Sequence, residues 1–495
     1  MANETKRSAI VVGAGIGGIA SAIRLAIKGY RVRLFEANNF AGGKLSEISN
    51  GKYRFDAGPS LFTLPQLVDE LFRLAGKDPK DYFSCSKLNI ICKYFYPDGT
   101  IINAFQDVDR FATEVERKTT VNATQVKRFL NHCRTLYELT ADIFLFRSFH
   151  RLNTFFSRKM LTSVSQWWKL DAFSTMHNKL EKTFHDKRLV QLFDRYATYN
   201  GSNPYAAPAT LNVIPHLEHN IGAFFPSEGM YSIVKALLTL AKEVGVELLL
   251  NTRVEEIIIQ NRKVSGVRDA FGKKHQATIV VSDVDIVYAY ELMPFLKLSK
   301  KYLSYERSTS ALIFYWGITK SFPELELHNI LFSNDYKTEF DHLFNKKQVY
   351  SDPTVYIFIS GKKVAADAPA GCENWFVMIN VPENAGQDWD KVIEEARSNI
   401  LQKINAMLQV ELSSLIESER ILDPRSIEAR TFSYQGSLYG NSSNSMFAAF
   451  RRHPNFIRKV KNLYFTGGSV HPGGGIPLCL ASAKIVDEMI PRVNH

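Results

Sequence analysis

The chain has 495 residues, too many for one compact core at the usual ~100–200 residues per domain, so two or more domains are expected. Hydrophobic residues make up 45% and charged residues 22%, with 28 Gly and 18 Pro, which excludes a disordered, collagen-like or coiled-coil chain. Lys plus Arg outnumber Asp plus Glu by 61 to 50, and the formal charge of +11 favours anionic partners such as a membrane surface or nucleic acid.

The first eight residues (MANETKRS) are polar, and the apolar run after them breaks at once on glycines, so no secretory leader is read there. Residues 9–12 predict a strand, the string 13–18 (GAGIGG) a tight turn, and 19–26 a packed helix ended by Gly29. Residues 32–35 predict a second strand finishing at Glu36. This is a βαβ opening, for which a parallel sheet is the economical reading. From about 131 to 213 the chain turns largely helical, rich in Phe, Leu and Trp with scattered Arg and Lys. Residues 230–243 predict a helix, 247–250 a strand, and 254–260, 263–268 and 278–282 further short strands. Strand-like runs recur at 312–318, 355–360 and 375–381, and 390–408 reads as an amphipathic helix. The end, 462–490, reads as a strand, a Gly-rich loop and a helix that returns to pack on the N-terminal sheet.

The longest apolar runs, such as 311–318 (ALIFYWGI), fall far short of the ~18–20 residues a membrane-spanning helix needs. Five cysteines without a CxxC pair argue against a disulfide framework or zinc module and favour a reducing cytoplasm. His216 and His219 form an HxxH-like pair without the Glu of a zincin. They read as structural, and no metal site is expected.

Gly13, Gly15 and Gly18 stand in a GxGxxG pattern between a strand and a helix. The first permits the turn, the second lets backbone approach a pyrophosphate, and the third allows close helix–strand packing. The helix N-terminus supplies unpaired N–H groups and a positive dipole, and Ile16 beside it is expected to contact the cofactor. Glu36 closes the second strand, followed by Ala37, where a carboxylate accepts from ribose hydroxyls. These features describe a nucleotide site without separating NAD from FAD.

The string GAGIGG…E…GGK…FDAGP resembles the start of FAD-dependent oxidoreductases of the amine oxidase and carotenoid desaturase superfamily. The resemblance implies FAD, with Gly43 and Lys44 over the diphosphate and Gly58, Pro59, Ser60 and Leu61 beside the flavin. It places the Val254 backbone at the adenine and assigns Asp283 to the cofactor. Residues 463–484 (LYFTGGSVHPGGGIPLCLASAK) resemble the closing motif, which implies Gly468, Gly475, Ile476 and Pro477 against the ribityl chain and ring. The spelling of 471–477 (HPGGGIP), with 203–206 (NPYA) and the 225–230 loop, is similar to carotenoid desaturases rather than amine oxidases. Residues 61–65 (LFTLP) are closer to hydroxycarotenoid 3,4-desaturases than to phytoene desaturases. Phytoene desaturation and flavin-assisted carotenoid isomerisation stay open as alternatives, and an amine oxidase is the rival within the superfamily.

The fold class implied is α/β: a discontinuous Rossmann-like FAD-binding domain (1–80, 225–290 and 450–495) with an inserted α+β substrate domain (81–224 and 291–449). Desaturation needs a hydride acceptor, because neither C–H bond is acidic. The proton acceptor is left open. His471 is the leading polar candidate, although a histidine bonding the Gly-rich loop reads equally well, and Glu228 reads as a solvated loop carboxylate. The stretch 136–176 interleaves Phe144, Phe146, Phe149, Phe155, Phe156, Trp167, Trp168 and Phe173 with Arg147, Arg151, Arg158, Lys159 and Lys169. A basic, aromatic helical surface suits an interfacial membrane contact. With a carotenoid as substrate, the expectation is a cytoplasmic protein peripheral to the inner face of the membrane. The same mixture suits single-stranded nucleic acid, but no nucleic-acid-binding motif accompanies it, and that partner is excluded. The oligomeric state is not readable.

Overall fold

The computed structural model describes residues 8–147 and 170–493. Strands β1 (Ser8–Val12), β2 (Arg31–Phe35), β3 (Glu247–Leu249), β4 (Ile279–Ser282) and β5 (Leu463–Phe465) form one parallel sheet in the order β5–β4–β1–β2–β3. β1 lies at the centre and is buried at every residue, which is why it reads SAIVV without a polar alternation. Helix α1 (Ile16–Ile27) carries the chain from β1 to β2. It begins three residues before the expected start, because Gly17 and Gly18 belong to the helix and Gly15 is its N-cap. Helix α2 (Ile476–Asp487) returns beside α1. Lys28 at the end of α1 donates to the Ile490 carbonyl at 2.7 Å, and Arg24 and Lys484 share the Glu70 carboxylate at 2.7 and 2.9 Å.

A mixed sheet of seven strands forms the second layer. Its order is Ile416–Leu422, Ser310–Ile318, Glu373–Val381, Val355–Phe358, His328–Leu331, Ile90–Phe95 and Ile101–Phe105. All neighbours run antiparallel except His328–Leu331 beside Ile90–Phe95. Side chains alternate between two apolar cores. Leu312, Phe314, Trp316, Val377 and Ile379 pack with Ile400 and Ile404 of the helix Trp389–Leu408. Ile313, Tyr315, Ile330, Phe358 and Phe376 point the other way, into the large core that meets the nucleotide-type sheet. Burial of both faces explains the near-continuous apolar spelling of the central strands. Ile90–Phe95, Ile101–Phe105, His328–Leu331 and Ile416–Leu422 were not among the expected strands. Ile416–Leu422 (IESERIL) is an edge strand whose exposed Glu and Arg mask its period.

The hairpin Glu47–Asn50/Tyr53–Asp56 ends on a fully buried carboxylate. Asp56 accepts from the Met230 amide at 2.8 Å, the Tyr231 amide at 3.1 Å and Arg54 Nη2 at 3.0 Å. It thereby ties the hairpin to the entry of helix Ser232–Glu243. His219 stacks on Phe111 at 4.6 Å with Nε2 3.0 Å from the Tyr196 hydroxyl, and burial lowers its pKa to about 3. His216 pairs with the Asn220 amide at 2.8 Å. Among the described residues no group of three His, Cys, Asp or Glu side chains is arranged to hold a metal ion, and no helix is long and apolar enough to cross a membrane. Most of the aromatic basic stretch lies outside the described residues, including Phe149, Phe155, Phe156, Trp167, Trp168, Arg151, Arg158, Lys159 and Lys169.

A Cβ at Gly18 would lie 2.0 Å from the Gly13 carbonyl oxygen, a backbone atom with nowhere to move. Gly18→Ala is therefore expected to push α1 off β1 and lower stability by about 1–3 kcal/mol. A reduced urea midpoint at unchanged slope reads this out; an unchanged midpoint would show that the helix has slack.

Candidate active site

A cavity of about 1040 Å³ runs between the parallel sheet and the inner face of the seven-stranded sheet. Its walls at one end are largely backbone. Gly13, Gly15, Gly42 and Gly43 line it from one side, and Gly467, Gly468, Gly474 and Gly475 from the other. Several glycines here have no spare room. A Cβ at Gly42 would meet the Leu45 carbonyl at 2.2 Å, and one at Gly58 would meet that of Lys44 at 1.8 Å. The two helices start here, α1 capped by Gly15 and α2 by Gly475, and neither has a side-chain cap or an acid in its first turn. Two positive helix ends therefore meet the same cavity.

Three charged side chains define this end. Glu36, 7% exposed, holds the glycine turn by accepting from the Ala14 amide at 2.8 Å, and from the Asn38 amide and side chain at 2.9 Å. Oε1 takes both Asn38 bonds, so Oε2, which takes only the Ala14 amide, keeps a second lone pair for a ligand hydroxyl. Lys44 donates to the Leu438 carbonyl at 2.6 Å, and burial lowers its pKa against the pull of Asp285. Asp283, just past β4, turns its carboxyl onto the glycine string. A Cβ on Gly15 would come within 2.4 Å of one oxygen, and a Cβ on Gly17 within 2.5 Å of the other. Burial pushes Asp283 up to about 7 against the Gly18 and Gly15 amides, and Glu36 adds to the rise. Its Oδ1 is buried without a hydrogen-bond partner. Backbone amides for a diphosphate, carboxyl groups for sugar hydroxyls and a glycine-walled slot together fit FAD.

The opposite end is apolar. Ile91, Leu211, Ile214, Leu217, Ile313, Phe376 and Met378 line it, drawn from the helical middle and the inner face of the mixed sheet. A small polar group interrupts them: Ser60, Tyr356, His328, Arg195, Tyr199 and Glu218. Near the surface Met446 and Phe450 line the cavity and are 44% and 49% exposed.

The cavity gathers Gly13, Gly15, Ile16, Glu36, Ala37, Gly43, Lys44, Gly58, Pro59, Ser60, Leu61, Val254, Asp283, Gly468, Gly475, Ile476 and Pro477 on its wall. Gly18 is absent from the wall, being spent on the contact between α1 and β1. His471 is also absent, although its neighbour Pro472 lines the cavity. The His471 ring donates from Nε2 to the Arg147 carbonyl at 2.7 Å, and its carbonyl accepts from Asn455 at 2.8 Å and Ser482 at 3.0 Å. Glu228 is exposed in its loop. Sequence reasoning missed Arg195, Tyr199, Glu218, His328 and Tyr356, which are scattered through the chain and share no motif. Sheet register brings His328 and Tyr356 together, and helical turns of the middle region bring in the other three.

Residues 16–486 match the family described as flavin containing amine oxidoreductase. The chain is 48% identical, over 99% of its length and 100% of the relative's, to 1-hydroxycarotenoid 3,4-desaturase of Flavobacterium sp. (strain P99-3). It is 31% identical, over 99% of its length and 90% of the relative's, to phytoene desaturase of Fusarium fujikuroi. Cyclohexylamine oxidase from Brevibacterium oxydans shares the fold, with a TM-score of 0.61 at 14% identity over 98% of each chain. With a glycine-built slot for FAD and relatives matched end to end, the chain belongs to the flavin-containing amine oxidoreductases, on the branch that holds the carotenoid desaturases.

Proposed function

We propose that the protein desaturates an acyclic carotenoid at the 3,4 bond of a 1-hydroxylated end, with FAD bound in the glycine-walled slot. The observation that carries this reading is the single cavity, cofactor-like at one end and apolar at the other. The relatives' names support the substrate class, and residues 61–65 support the hydroxylated end.

Bound flavin supplies the hydride acceptor that removal of hydrogen from a saturated carbon requires. The residues of the chain supply position and exclusion of water. Ile313, Phe376 and Met378 give an apolar wall along which a polyene lies, and burial of both faces of their sheet keeps that wall fixed. Orientation of this kind contributes several kcal/mol to barrier lowering, because the reacting carbon pair is held rather than searched for. The N-terminus of α2, capped by Gly475, lines the slot and would favour negative charge on a flavin bound there. No carboxylate is assigned the leaving proton.

A long polyene reaches this cavity from lipid. The half-exposed Met446 and Phe450 at its surface support a lipid-facing mouth, and Arg151, Arg158, Lys159 and Lys169 add the charge that anionic headgroups attract, about 1 kcal/mol each before salt screening. The reading is a cytoplasmic enzyme peripheral to the inner membrane face.

Three outcomes are expected. Purified holoenzyme in liposomes converts a 1-hydroxylated acyclic carotenoid to a product lighter by two hydrogens and absorbing at longer wavelength. An unchanged mass would indicate isomerisation, an added oxygen would indicate an oxygenase, and faster turnover of phytoene would move the substrate. FAD is retained more tightly at pH 6 than at pH 8, because protonation of Asp283 around pH 7 removes a negative charge beside an anionic ligand. Titration of apoprotein with FAD at both values, repeated on Asp283→Asn, should find the slope flattened in the variant; equal slopes would clear Asp283. The double variant Arg158→Glu, Lys159→Glu should float poorly with anionic liposomes at full FAD content, and flotation equal to the parent's would place the membrane contact elsewhere.

A further inference from the structure

The polar group in the apolar half of the cavity is built rather than incidental. His328 and Tyr356 lie on adjacent strands whose register pairs His328 with Phe358 and Ile330 with Tyr356, so the two side chains are diagonal neighbours on one face. The Tyr356 hydroxyl lies 2.8 Å from His328 Nδ1 and 2.6 Å from Ser60 Oγ. The imidazole stacks on Phe358 at 5.2 Å and 17°, which fixes its plane. His328 is 3% exposed and lines the cavity, yet its Nε2 is buried with no hydrogen-bond partner.

The surroundings select the kind of partner. Arg195, also on the wall, sits 3.0 Å from the Tyr199 hydroxyl, 2.6 Å from that of Tyr94 and 3.6 Å from Glu218. Glu218 in turn accepts from Tyr196 at 2.7 Å and from Tyr199. The one positive and one negative charge answer each other, so no net charge is left for an ionic ligand. Burial, with Arg195 nearby, lowers the His328 pKa to about 3, and the ring is neutral at ordinary pH. A neutral imidazole offers a donor at Nε2 in one tautomer and an acceptor in the other. An alcohol, which both donates and accepts, satisfies either.

We propose that His328, braced by Tyr356 and Ser60, receives the terminal hydroxyl of the carotenoid and selects the carbon pair that is oxidised. The inference rests on the desaturase reading above. In a 1-hydroxylated end the carbon bearing oxygen is two carbon–carbon bonds from the nearer carbon of the 3,4 pair. Anchoring the hydroxyl at His328 thus fixes that pair with respect to Ser60, on the loop after Gly58 that lines the cavity. A chain without the hydroxyl leaves Nε2 unpaired and is free to slide.

The test uses FAD-loaded full-length protein in one liposome preparation, with a 1-hydroxylated acyclic carotenoid and the same carotenoid lacking its hydroxyl. The parent is expected to favour the hydroxylated chain in kcat/KM by at least about tenfold, as a site built to bond a hydroxyl does. Tyr356→Phe and His328→Phe, which keep a ring in place, should each bring the ratio to within about threefold of one. Equal loss on both substrates, as a merely structural role would give, overturns the inference, as does an unchanged ratio or a parent without preference. If the parent oxidises neither carotenoid the desaturase reading fails instead. Binding of the two compounds, followed by quenching of tryptophan fluorescence in parent and variants, then decides the hydroxyl site on its own.

Discussion

Helix α1 meets the turn after β1 backbone to backbone, and that contact sets the position of everything else around the cavity. The carbonyl of Gly13 and the α-carbon of Gly18 leave no volume for a methyl group between them. Because the helix is drawn in this far, its first amides face the end of β4 and the loop after β5. Gly467 and Gly17 then crowd the same Asp283 carboxyl. α2 completes the arrangement by packing along α1 and aiming a second N-terminus into the slot. A parallel sheet with its helices on the faces produces such a crevice beyond the carboxyl ends of its strands. Here the crevice is narrowed to the thickness of a backbone-lined ligand.

The other half of the cavity obeys a different constraint. A sheet that is buried on both faces spells both in apolar residues, and one of those faces becomes the roof over the ligand space. Trp316, Val377 and Ile379 are held by the helix Trp389–Leu408 on the far side. The near-side residues Ile313, Phe376 and Met378 consequently have little freedom to collapse inward. A rigid apolar wall opposite a glycine-built slot presents a greasy chain to a planar cofactor without needing a catalytic side chain. That division of labour agrees with the position of His471, which is engaged with backbone behind the Gly-rich loop.

The nucleotide end was legible because its demands fall on contiguous residues. A turn, a close approach and a helix start occupy positions 13–18, and a carboxylate follows at a distance set by the length of one helix and one strand. Even there the sequence understated α1, since glycines inside a helix read as its absence. Asp56 shows a second limit. Its place in the FDAGP string reads as part of a cofactor motif, yet the carboxylate serves the Met230 and Tyr231 amides at the entry of another helix. The far end was not legible at all. Arg195 follows a helix, Glu218 sits in a helical turn, and His328 and Tyr356 come from neighbouring antiparallel strands of the mixed sheet. Local pattern carries no information about such pairings.

Polar atoms in an apolar cavity are costly, and this sets what the far end is for. Leaving one buried donor or acceptor unpaired costs about 1–3 kcal/mol, a sizeable share of the 5–15 kcal/mol that holds a typical domain together. Much of the group avoids that cost by internal pairing: the two Arg195 Nη atoms with three partners, Glu218 with two tyrosines, Tyr356 with Ser60. Arg195 Nε and His328 Nε2 do not, and of the two only the imidazole is neutral. A phenylalanine would fill the same space and stack on Phe358, but it would give up the Nδ1 bond to Tyr356. That bond accounts for one nitrogen of the imidazole; the other is left available beside a polyene-shaped space. The penalty is removed when a ligand hydroxyl arrives, which makes an otherwise slippery hydrocarbon bind in one register.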